Sequence, residues 1–339
     1  MIISRTPFRI SFFGGGTDYP VWYRENGGAV LGTTIDKFCY ITCRYLPPFF
    51  EHKYRVVYSQ MELVRDIDEI RHPAVREALR FMGITDGVEI HHDGDLPART
   101  GLGSSSSFTV GLLHAVYALK GVMPAKMQLA RDAIHIEQEV LKENVGSQDQ
   151  VLAAFGGLNR IDFSGEHPDN IGIEIKCVTI KPQRLELLQN HLMLVFTGFS
   201  RTASEIAGEQ IKQTPNRKQE LSEMYRMVDE AVNILSGDGD ITDFGKLLHE
   251  SWQLKRSLTN KISNPYTDFL YETALRAGAT GGKLLGAGGG GFMLFFVKPE
   301  LQSKVRESLG NLLEVPFRFE SLGSQIIFYE PDPLYGKSS

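Results

Sequence analysis

The chain has 339 residues, 42% of them hydrophobic and 23% charged, and its 41 acidic and 36 basic residues give a net charge of −5. This balance excludes the large basic surface that nucleic-acid binding requires, and the length is typical of two domains. The longest apolar runs, HLMLVF and FMLFFV, are too short to cross a membrane. The amino terminus lacks the apolar stretch of a signal peptide. The three cysteines have neither the spacing of a CxxC motif nor the even number of a disulfide framework, which favours a reducing compartment. We therefore predict a cytoplasmic protein without a membrane or nucleic-acid partner.

The first half of the chain mixes strand and helix patterns. FRISFF alternates in polarity and ends at three glycines, which predicts a strand that runs into a loop. FCYITCRYL and GVEIHHDGD are further predicted strands. His91 and His92 are neighbours on the latter and face opposite ways, so we do not expect them to share a metal. Apolar spacing predicts one helix after the serine run at 104–107 and another over about 125–143.

The second half is richer in helix. HLMLVFTGFS predicts a buried strand, and helical patterns cover about 201–258, interrupted by SGDGD, and about 268–277. VPFRFE and QIIFYE are short strand candidates near the end. The change near KPQRLELLQN predicts two domains, 1–185 and 186–339. Because strands and helices do not alternate strictly, the predicted fold class is α+β.

One loop combines glycine and serine at the start of a helix, in DLPARTGLGSSSSFTVGLLHAVYALKG. The first amides of a helix lack intrahelical partners and its dipole is positive there, so a phosphate can bind. Glycine lets the backbone approach the ligand, and a serine hydroxyl can also bind Mg²⁺. The alternative is a simple serine N-cap, for which one serine would suffice.

Two common nucleotide motifs are excluded. The chain has no GxxxxGK[ST] loop. Its single GxGxxG, at Gly286, Gly288 and Gly291, precedes the strand-like FMLFFV instead of a helix.

Four segments in this order resemble the GHMP kinases: PFRISFFGGGTDYP, the serine loop, IEQEVLKENVGSQDQ and KLLGAGGGG, which together span Pro7 to about Val297. The resemblance implies an ATP- and Mg²⁺-dependent kinase, monomeric or homodimeric, with its site between two α+β domains. The amino-terminal domain would be like domain 2 of ribosomal protein S5 and the carboxy-terminal domain ferredoxin-like. The implied ATP-binding residues are Gly101, Leu102, Gly103, Ser104, Ser105 and Ser106.

The resemblance also implies two catalytic residues. Asp149 would accept or orient the proton of the acceptor hydroxyl, although an Asp at this place could instead close a turn after Gly146. Arg9 would stabilise the transferring phosphoryl group or hold Asp149 as a carboxylate, and its alternative is a structural ion pair.

Glu137 shares the apolar side of its predicted helix with Ile134 and Leu141. A carboxylate in such a place needs a partner, because burying it alone is costly. The resemblance implies that Glu137 binds Mg²⁺ together with the Ser105 hydroxyl. The alternative is a salt bridge to a nearby arginine.

The implied acceptor is a sugar phosphate. GGGTDYP, LPARTGLGSSSSF and ENVGSQDQ are similar to the wording of family members that phosphorylate D-glycero-D-manno-heptose 7-phosphate at its anomeric oxygen, a step toward nucleotide-activated heptose and surface polysaccharide. Arg201 is the first candidate for holding the 7-phosphate, with Lys283 and Arg99 as alternatives. The other implied substrate contacts are Gly15, Gly16, Thr17, Asp18, Gly288 and Gly289.

Three other functions stay open. An L-fucokinase shares the GGGTD wording, a non-catalytic sugar sensor could use the same fold, and an isoprenoid or amino-alcohol kinase would have a more apolar acceptor site.

Overall fold

The structure is a computed structural model, which describes residues 1–165, 172–198, 203–310 and 312–331. Its strands, in chain order, are β1 (Ile2–Phe13), β2 (Gly28–Tyr45), β3 (Tyr54–Val57), β4 (Met61–Val64), β5 (Val88–Gly94), β6 (Asn159–Ser164), β7 (Gly172–Cys177), β8 (Leu192–Phe196), β9 (Ala279–Leu284), β10 (Phe292–Val297), β11 (Leu313–Glu314), β12 (Phe319–Glu320) and β13 (Gln325–Tyr329).

The helices are interleaved with these strands. They are α1 (Pro20–Asn26), α2 (Pro73–Phe81), α3 (Ser104–Leu119), α4 (Lys126–Ile134), α5 (Gln148–Phe155), α6 (Pro182–Asn190), α7 (Ala203–Gln213), α8 (Lys218–Ser236), α9 (Thr242–Leu258), α10 (Pro265–Ala277) and α11 (Gln302–Ser308).

The described strands form two sheets. The larger has nine strands, built around the antiparallel pair of β1 and β2, with β5, β3 and β4 beyond β2 on one path and β6 and β7 on another. The smaller has four antiparallel strands in the order β11-β8-β10-β9. The α+β fold class is thereby confirmed.

The second half of β1 lies inside the molecule. Residues 8–13 are all buried, and neighbouring side chains of a strand point to opposite faces, so both faces are covered. The covering helices are α3, α5, α8 and α9. Helix α3 is apolar on nearly all sides, as expected for a helix enclosed between a sheet and other helices. This burial fixes the strand that carries Arg9.

The predicted helix over 125–143 is interrupted. It is α-helical as far as Ile134 and continues as a π-helical turn, His135–Val140. Such turns are rare and occur often at functional sites. This turn carries Glu137.

The end of the chain returns to the larger sheet. β13 pairs with β1, so that Ile2 lies opposite Tyr329, and β12 pairs with β2. The boundary between residues 185 and 186 stays a prediction, but 186–339 does not lie in the smaller sheet alone.

Among the described residues, no helix has the length and apolar character needed to span a bilayer.

The return segment packs tightly on Gly156, the residue that ends α5. Gly156 has a φ of +72°, and a Cβ atom added to it would lie 2.2 Å from the backbone carbon of Leu322. We expect Gly156→Ala to incur about 1–3 kcal/mol from a backbone conformation, φ +72° and ψ 171°, that is essentially restricted to glycine, and about 1–3 kcal/mol more from overpacking.

Gly83→Ala is the matched control for this prediction. Gly83 has a similar φ of +63° but no atom within 4 Å of an added Cβ. The midpoint of thermal unfolding should therefore fall more for Gly156→Ala than for Gly83→Ala. Equal losses would show that the return segment yields to the added methyl group.

Candidate active site

A cleft of about 630 Å³ lies between elements of the two sheets. Its walls come from β1, the glycine loop after β1, the serine loop, the 142–146 loop, and residues of α5, α7, α9 and β9. The predicted site residues that line it are Arg9, Gly15, Gly16, Asp18, Gly101, Gly103, Ser104, Ser105 and Asp149, together with the alternatives Arg99 and Lys283.

Arg9 and Asp149 form a two-pronged ion pair in this cleft. Nε and Nη2 of Arg9 each donate to one carboxylate oxygen of Asp149, both at 2.6 Å. The third nitrogen, Nη1, donates to the Gly101 carbonyl oxygen at 2.7 Å. The Arg9 side chain is 5% exposed and that of Asp149 24%, so the arginine forms the floor and the carboxylate faces the cleft. The structural ion pair considered for Arg9 is present, and its partner is the predicted catalytic residue.

The serine loop has the geometry of a phosphate site. Gly101 and Gly103 have φ values of +86° and +74°, and Gly103 is the N-cap of α3. A Cβ atom on Gly101 would lie 2.3 Å from the Leu285 carbonyl oxygen, so only glycine fits there. The simple serine cap is wrong, because the serines occupy the first helical turn and no side chain caps it.

The serines of that turn have different surroundings. Ser104 and Ser105 line the cleft, and Ser104 Oγ accepts a hydrogen bond from the Arg99 amide at 3.1 Å. Ser106 is buried and does not line the cleft; its hydroxyl donates to Glu137 Oε2 at 2.8 Å. The backbone carbonyl of Leu102 accepts from the Arg9 amide at 3.0 Å, which joins the loop to β1.

Glu137 is fully buried behind Ser106. The Gln150 amide also donates to Oε2, whereas Oε1 has no hydrogen-bond partner among the described residues. The neighbouring Thr109 hydroxyl donates to the Ser105 carbonyl oxygen instead. Burial raises the pKa of Glu137 to about 7, although hydroxyl and amide groups nearby oppose the shift. A salt bridge from Glu137 to an arginine is not found among the residues that the structure describes.

Asp18 is buried beside the glycine loop. Oδ1 accepts from the Gly16 amide at 2.8 Å, and Oδ2 accepts from the Gln148 side-chain amide at 3.0 Å. Burial raises the pKa of the Asp18 carboxyl, and the negative charge of Asp149 raises it further. A Cβ atom on Gly146 would lie 1.8 Å from Oδ2, so a glycine is required where the two loops meet.

Three predicted substrate contacts have partners within the protein, and their role in binding the substrate stays a prediction. The Thr17 hydroxyl is buried and bonded to the carbonyl oxygens of Gly14 and Ala29, both at 2.8 Å, so it holds the loop to β2 and does not line the cleft. Gly288 and Gly289 pack against Ile262: the Gly289 amide donates to its carbonyl oxygen at 3.0 Å. The neighbouring Gly286 and Ala287 line the cleft instead.

Arg201 lies outside the described residues. That Arg201 binds the 7-phosphate of the sugar stays a prediction.

Among the cleft residues that sequence reasoning missed, three have polar or charged groups that matter for binding. Ser11 lies two positions after Arg9 on the same strand face, and Gln148 precedes Asp149. Lys255 occupies a position of the apolar stripe of α9, three and four residues after the buried Trp252 and Ser251. A charged residue at an apolar position is the same signal that singled out Glu137.

Lys255 and Lys283 stand on the carboxy-terminal wall of the cleft. Lys255 Nζ donates to the Gly286 carbonyl oxygen at 2.5 Å, and Lys283 Nζ donates to the Phe12 carbonyl oxygen at 2.8 Å. Burial lowers the pKa of Lys255 to about 8 and the pKa of Lys283 well below its ordinary value.

Two family models match this chain. The family model of the GHMP kinases N terminal domain matches residues 69–157, and that of the GHMP kinases C terminal matches residues 219–314. The first contains the serine loop, Glu137 and Asp149, and the second contains Lys255, Lys283 and the second glycine loop.

Similar proteins include kinases of several sugars. A D-glycero-alpha-D-manno-heptose 7-phosphate kinase of Campylobacter jejuni is 28% identical over 95% of this chain and 98% of its own length. A bifunctional fucokinase/GDP-fucose pyrophosphorylase of Arabidopsis thaliana is 26% identical over 88% of this chain and 30% of its own length.

A solved structure of a D-glycero-D-manno-heptose 1-phosphate kinase from Bacteroides thetaiotaomicron has the same fold. It is 23% identical, with a TM-score of 0.71 over 96% of this chain and 98% of that chain. The predicted fold and the prediction of a phosphotransferase are confirmed by these matches: the chain belongs to the GHMP kinase family.

Proposed function

We propose that this kinase transfers the γ-phosphate of ATP to the anomeric hydroxyl of D-glycero-D-manno-heptose 7-phosphate. The observation that carries the kinase reaction is the Arg9–Asp149 pair, which faces the same cleft as the first turn of α3. The 28% identical heptose 7-phosphate kinase supports this choice of sugar. The product would be the 1,7-bisphosphate, a precursor for nucleotide-activated heptose and surface polysaccharide.

The residues of the cleft would form an ATP-binding group and an acceptor-binding group. The first amides of α3 and the Ser104 and Ser105 hydroxyls would bind the ATP phosphates. Asp149 would orient the anomeric hydroxyl, since each carboxylate oxygen bonded to Arg9 keeps a second acceptor site. A bond then forms between the sugar oxygen and the γ-phosphorus while the bond to the β-phosphate oxygen breaks and ADP leaves. The hydroxyl proton passes to Asp149 and then to solvent.

The acceptor side of the cleft is polar. Ser11 Oγ and Gln148 Oε1 are buried and have no hydrogen-bond partner among the described residues, and both side chains line the cleft beside Asp18. Unpaired buried polar atoms are costly, and the hydroxyls of a sugar would satisfy them. This polarity favours a sugar over the apolar acceptor of an isoprenoid kinase.

The buried carboxylate of Glu137 fits a divalent cation. One oxygen has no partner, and its pKa is raised by burial, so a positive charge beside it would replace the missing interactions. Mg²⁺ would neutralise charge on the nucleotide phosphates. Glu137 and the Ser105 hydroxyl stay its proposed ligands from the resemblance, whereas in the structure the Ser106 hydroxyl donates to Glu137 and Ser105 lines the cleft. The described residues contain no group of three or more metal-ligating side chains.

The second candidate is an L-fucokinase, which the similarity to the Arabidopsis protein favours.

The cytoplasmic location and the monomeric or homodimeric state of the protein stay predictions.

The proposed reaction is tested by ³¹P NMR with ATP, Mg²⁺ and separate samples of heptose 7-phosphate, L-fucose, galactose and mannose. We expect a new anomeric phosphate signal with heptose 7-phosphate. Asp149→Asn should reduce its rate of appearance by about 10²- to 10⁴-fold, because the variant cannot accept the proton.

A signal with L-fucose alone would overturn the heptose assignment. Silence with every sugar despite ATP binding would favour the sugar sensor.

Gln148→Met tests the acceptor pocket. Methionine has a similar length but no amide, so it loses the proposed hydrogen bond to a sugar hydroxyl and also the bond from Gln148 Nε2 to Asp18 Oδ2, another group on the acceptor side. We expect the KM for the sugar to rise about 2- to 10-fold, as one such bond contributes about 0.5–1.5 kcal/mol. The KM for ATP serves as the internal control and should not change. An equal rise in both constants would place Gln148 outside the acceptor pocket.

Glu137→Gln tests the metal site. The substitution removes the negative charge but keeps the shape, so saturation with Mg²⁺ should require a concentration about 10- to 100-fold higher, by analogy with the loss of other metal-site groups. Glu139→Gln is the matched control, since Glu139 is exposed on the same π-helical turn. Equal Mg²⁺ requirements in the two variants would remove Glu137 from the metal site.

A further inference from the structure

Two buried lysines of the cleft form no ion pair with the described carboxylates. Lys255 and Lys283 are 6% and 4% exposed, and neither forms an ion pair with a carboxylate in the part of the chain that the structure describes. A buried charge is normally paired, because water no longer stabilises it. Arg9, the other buried cation of the cleft, follows this rule through its pair with Asp149.

Both ammonium groups keep donors for a ligand. An ammonium has three N–H donors, and one is used in each case, toward the carbonyl oxygens of Gly286 and Phe12. Both side chains line the cleft. They combine charge, free donors and access, which are the properties that an anion requires.

Their contacts place these lysines near the Arg9–Asp149 pair. Gly286, which accepts from Lys255, is packed on Gly101: a Cβ atom added to Gly286 would lie 2.5 Å from the Gly101 Cα. The Gly101 carbonyl oxygen in turn accepts from Arg9. Phe12, which accepts from Lys283, is three residues after Arg9 on β1.

We infer that Lys255 and Lys283 form a phosphate-binding pair on the carboxy-terminal wall of the cleft, opposite Asp149. The inference rests on the proposed function only for the source of the phosphate. That source is the γ-phosphoryl group in transfer or the phosphate of the acceptor sugar. The position beside Arg9 favours the group in transfer.

A different role would make the lysines structural clamps. In that role their single hydrogen bonds would tie α9 to the glycine loop and β9 to β1, and their charge would have no function. The two roles predict opposite effects of removing the charge, so they can be separated by experiment.

The first test measures binding of inorganic phosphate by calorimetry in the presence of ADP, which occupies the serine loop. We expect K255M/K283M to bind phosphate at least tenfold more weakly than the wild type. The exposed Lys246 lies on the same helix as Lys255, and K246M should bind like the wild type. Without ligand, the double variant should keep or raise its thermal midpoint, because two buried unpaired charges have been removed.

The role as structural clamps predicts the opposite result for both the phosphate affinity and the thermal midpoint of the double variant. A lowered thermal midpoint together with unchanged phosphate affinity would overturn the inference. K255R/K283R keeps both charges and should retain phosphate binding.

The pH dependence gives a test on the unmodified protein, which does not depend on the folding of any variant. The charged groups that act on Lys255 are Arg9 on β1, Asp18 in the glycine loop, Asp149 on α5 and Lys283 on β9. Since the pKa of Lys255 is lowered to about 8, the ammonium loses its proton as the pH rises through that value. Phosphate affinity should therefore fall above about pH 8 in the wild type and in K246M. Above about pH 8 inorganic phosphate is already a dianion, so a constant affinity between pH 8 and 9.5 would contradict the inference.

Kinetics identify the source of the phosphate. If the pair binds the group in transfer, kcat of the double variant falls at least tenfold for heptose 7-phosphate and for the heptose without phosphate. If it binds the acceptor phosphate, only the KM for heptose 7-phosphate rises. Unchanged kinetics for both sugars would overturn the inference that Lys255 and Lys283 bind phosphate. If the wild type phosphorylates neither sugar, the proposed function fails, and the phosphate titration still decides the role of the lysines.

Discussion

Arg9 connects three elements that approach each other at the cleft. Its backbone lies in the buried part of β1, its fork binds both oxygens of Asp149 in the first turn of α5, and its remaining nitrogen holds Gly101 in the serine loop. A planar guanidinium has the geometry for this three-way contact, which the point charge of lysine lacks. Removal of Asp149 would leave the buried charge of Arg9 without its carboxylate partner, so the position of the proposed catalytic carboxylate depends on the same pair that stabilises the floor of the cleft.

Several buried charged groups lie in or beside the cleft and lack interactions that would stabilise their charge. Among the described residues, Glu137 has one carboxylate oxygen without a hydrogen-bond partner, Asp18 is buried with a raised pKa, and Lys255 and Lys283 form no ion pair although Asp18 lies near enough to act on both. Each of these groups destabilises the protein without ligand and would be compensated by a cation, a sugar hydroxyl or a phosphate. This is the usual relation between function and stability, in which a binding site is less stable than the same volume filled with apolar side chains.

The parts of the site that depend on local pattern could be predicted from the sequence. Gly101, Gly103 and the serines share one loop, and Asp149 lies in a short motif, so their neighbours along the chain indicate their chemistry. The contacts that sequence reasoning did not predict join segments that are distant along the chain. Thr17 bonds to Ala29 on β2, and Gly289 bonds to Ile262, which no local pattern reveals. The difference between Ser105 and Ser106 arises because successive residues turn by about 100° around a helix, so one faces the cleft and the next faces Glu137. Likewise, β12 and β13 have only 2 and 5 residues, too few for a pattern that would indicate their partners.

The pairing of β1 with β13 has a consequence for how the protein is made. A ribosome releases the chain from its amino terminus at about 5–20 residues per second, so β1 leaves it long before β13 is synthesised. Until then one edge of the larger sheet has unpaired amide and carbonyl groups, and the Gly156 turn lacks the segment that packs on it. The nascent protein therefore has an exposed sheet edge that could pair with other chains, and the larger sheet is completed only after β13 has been synthesised.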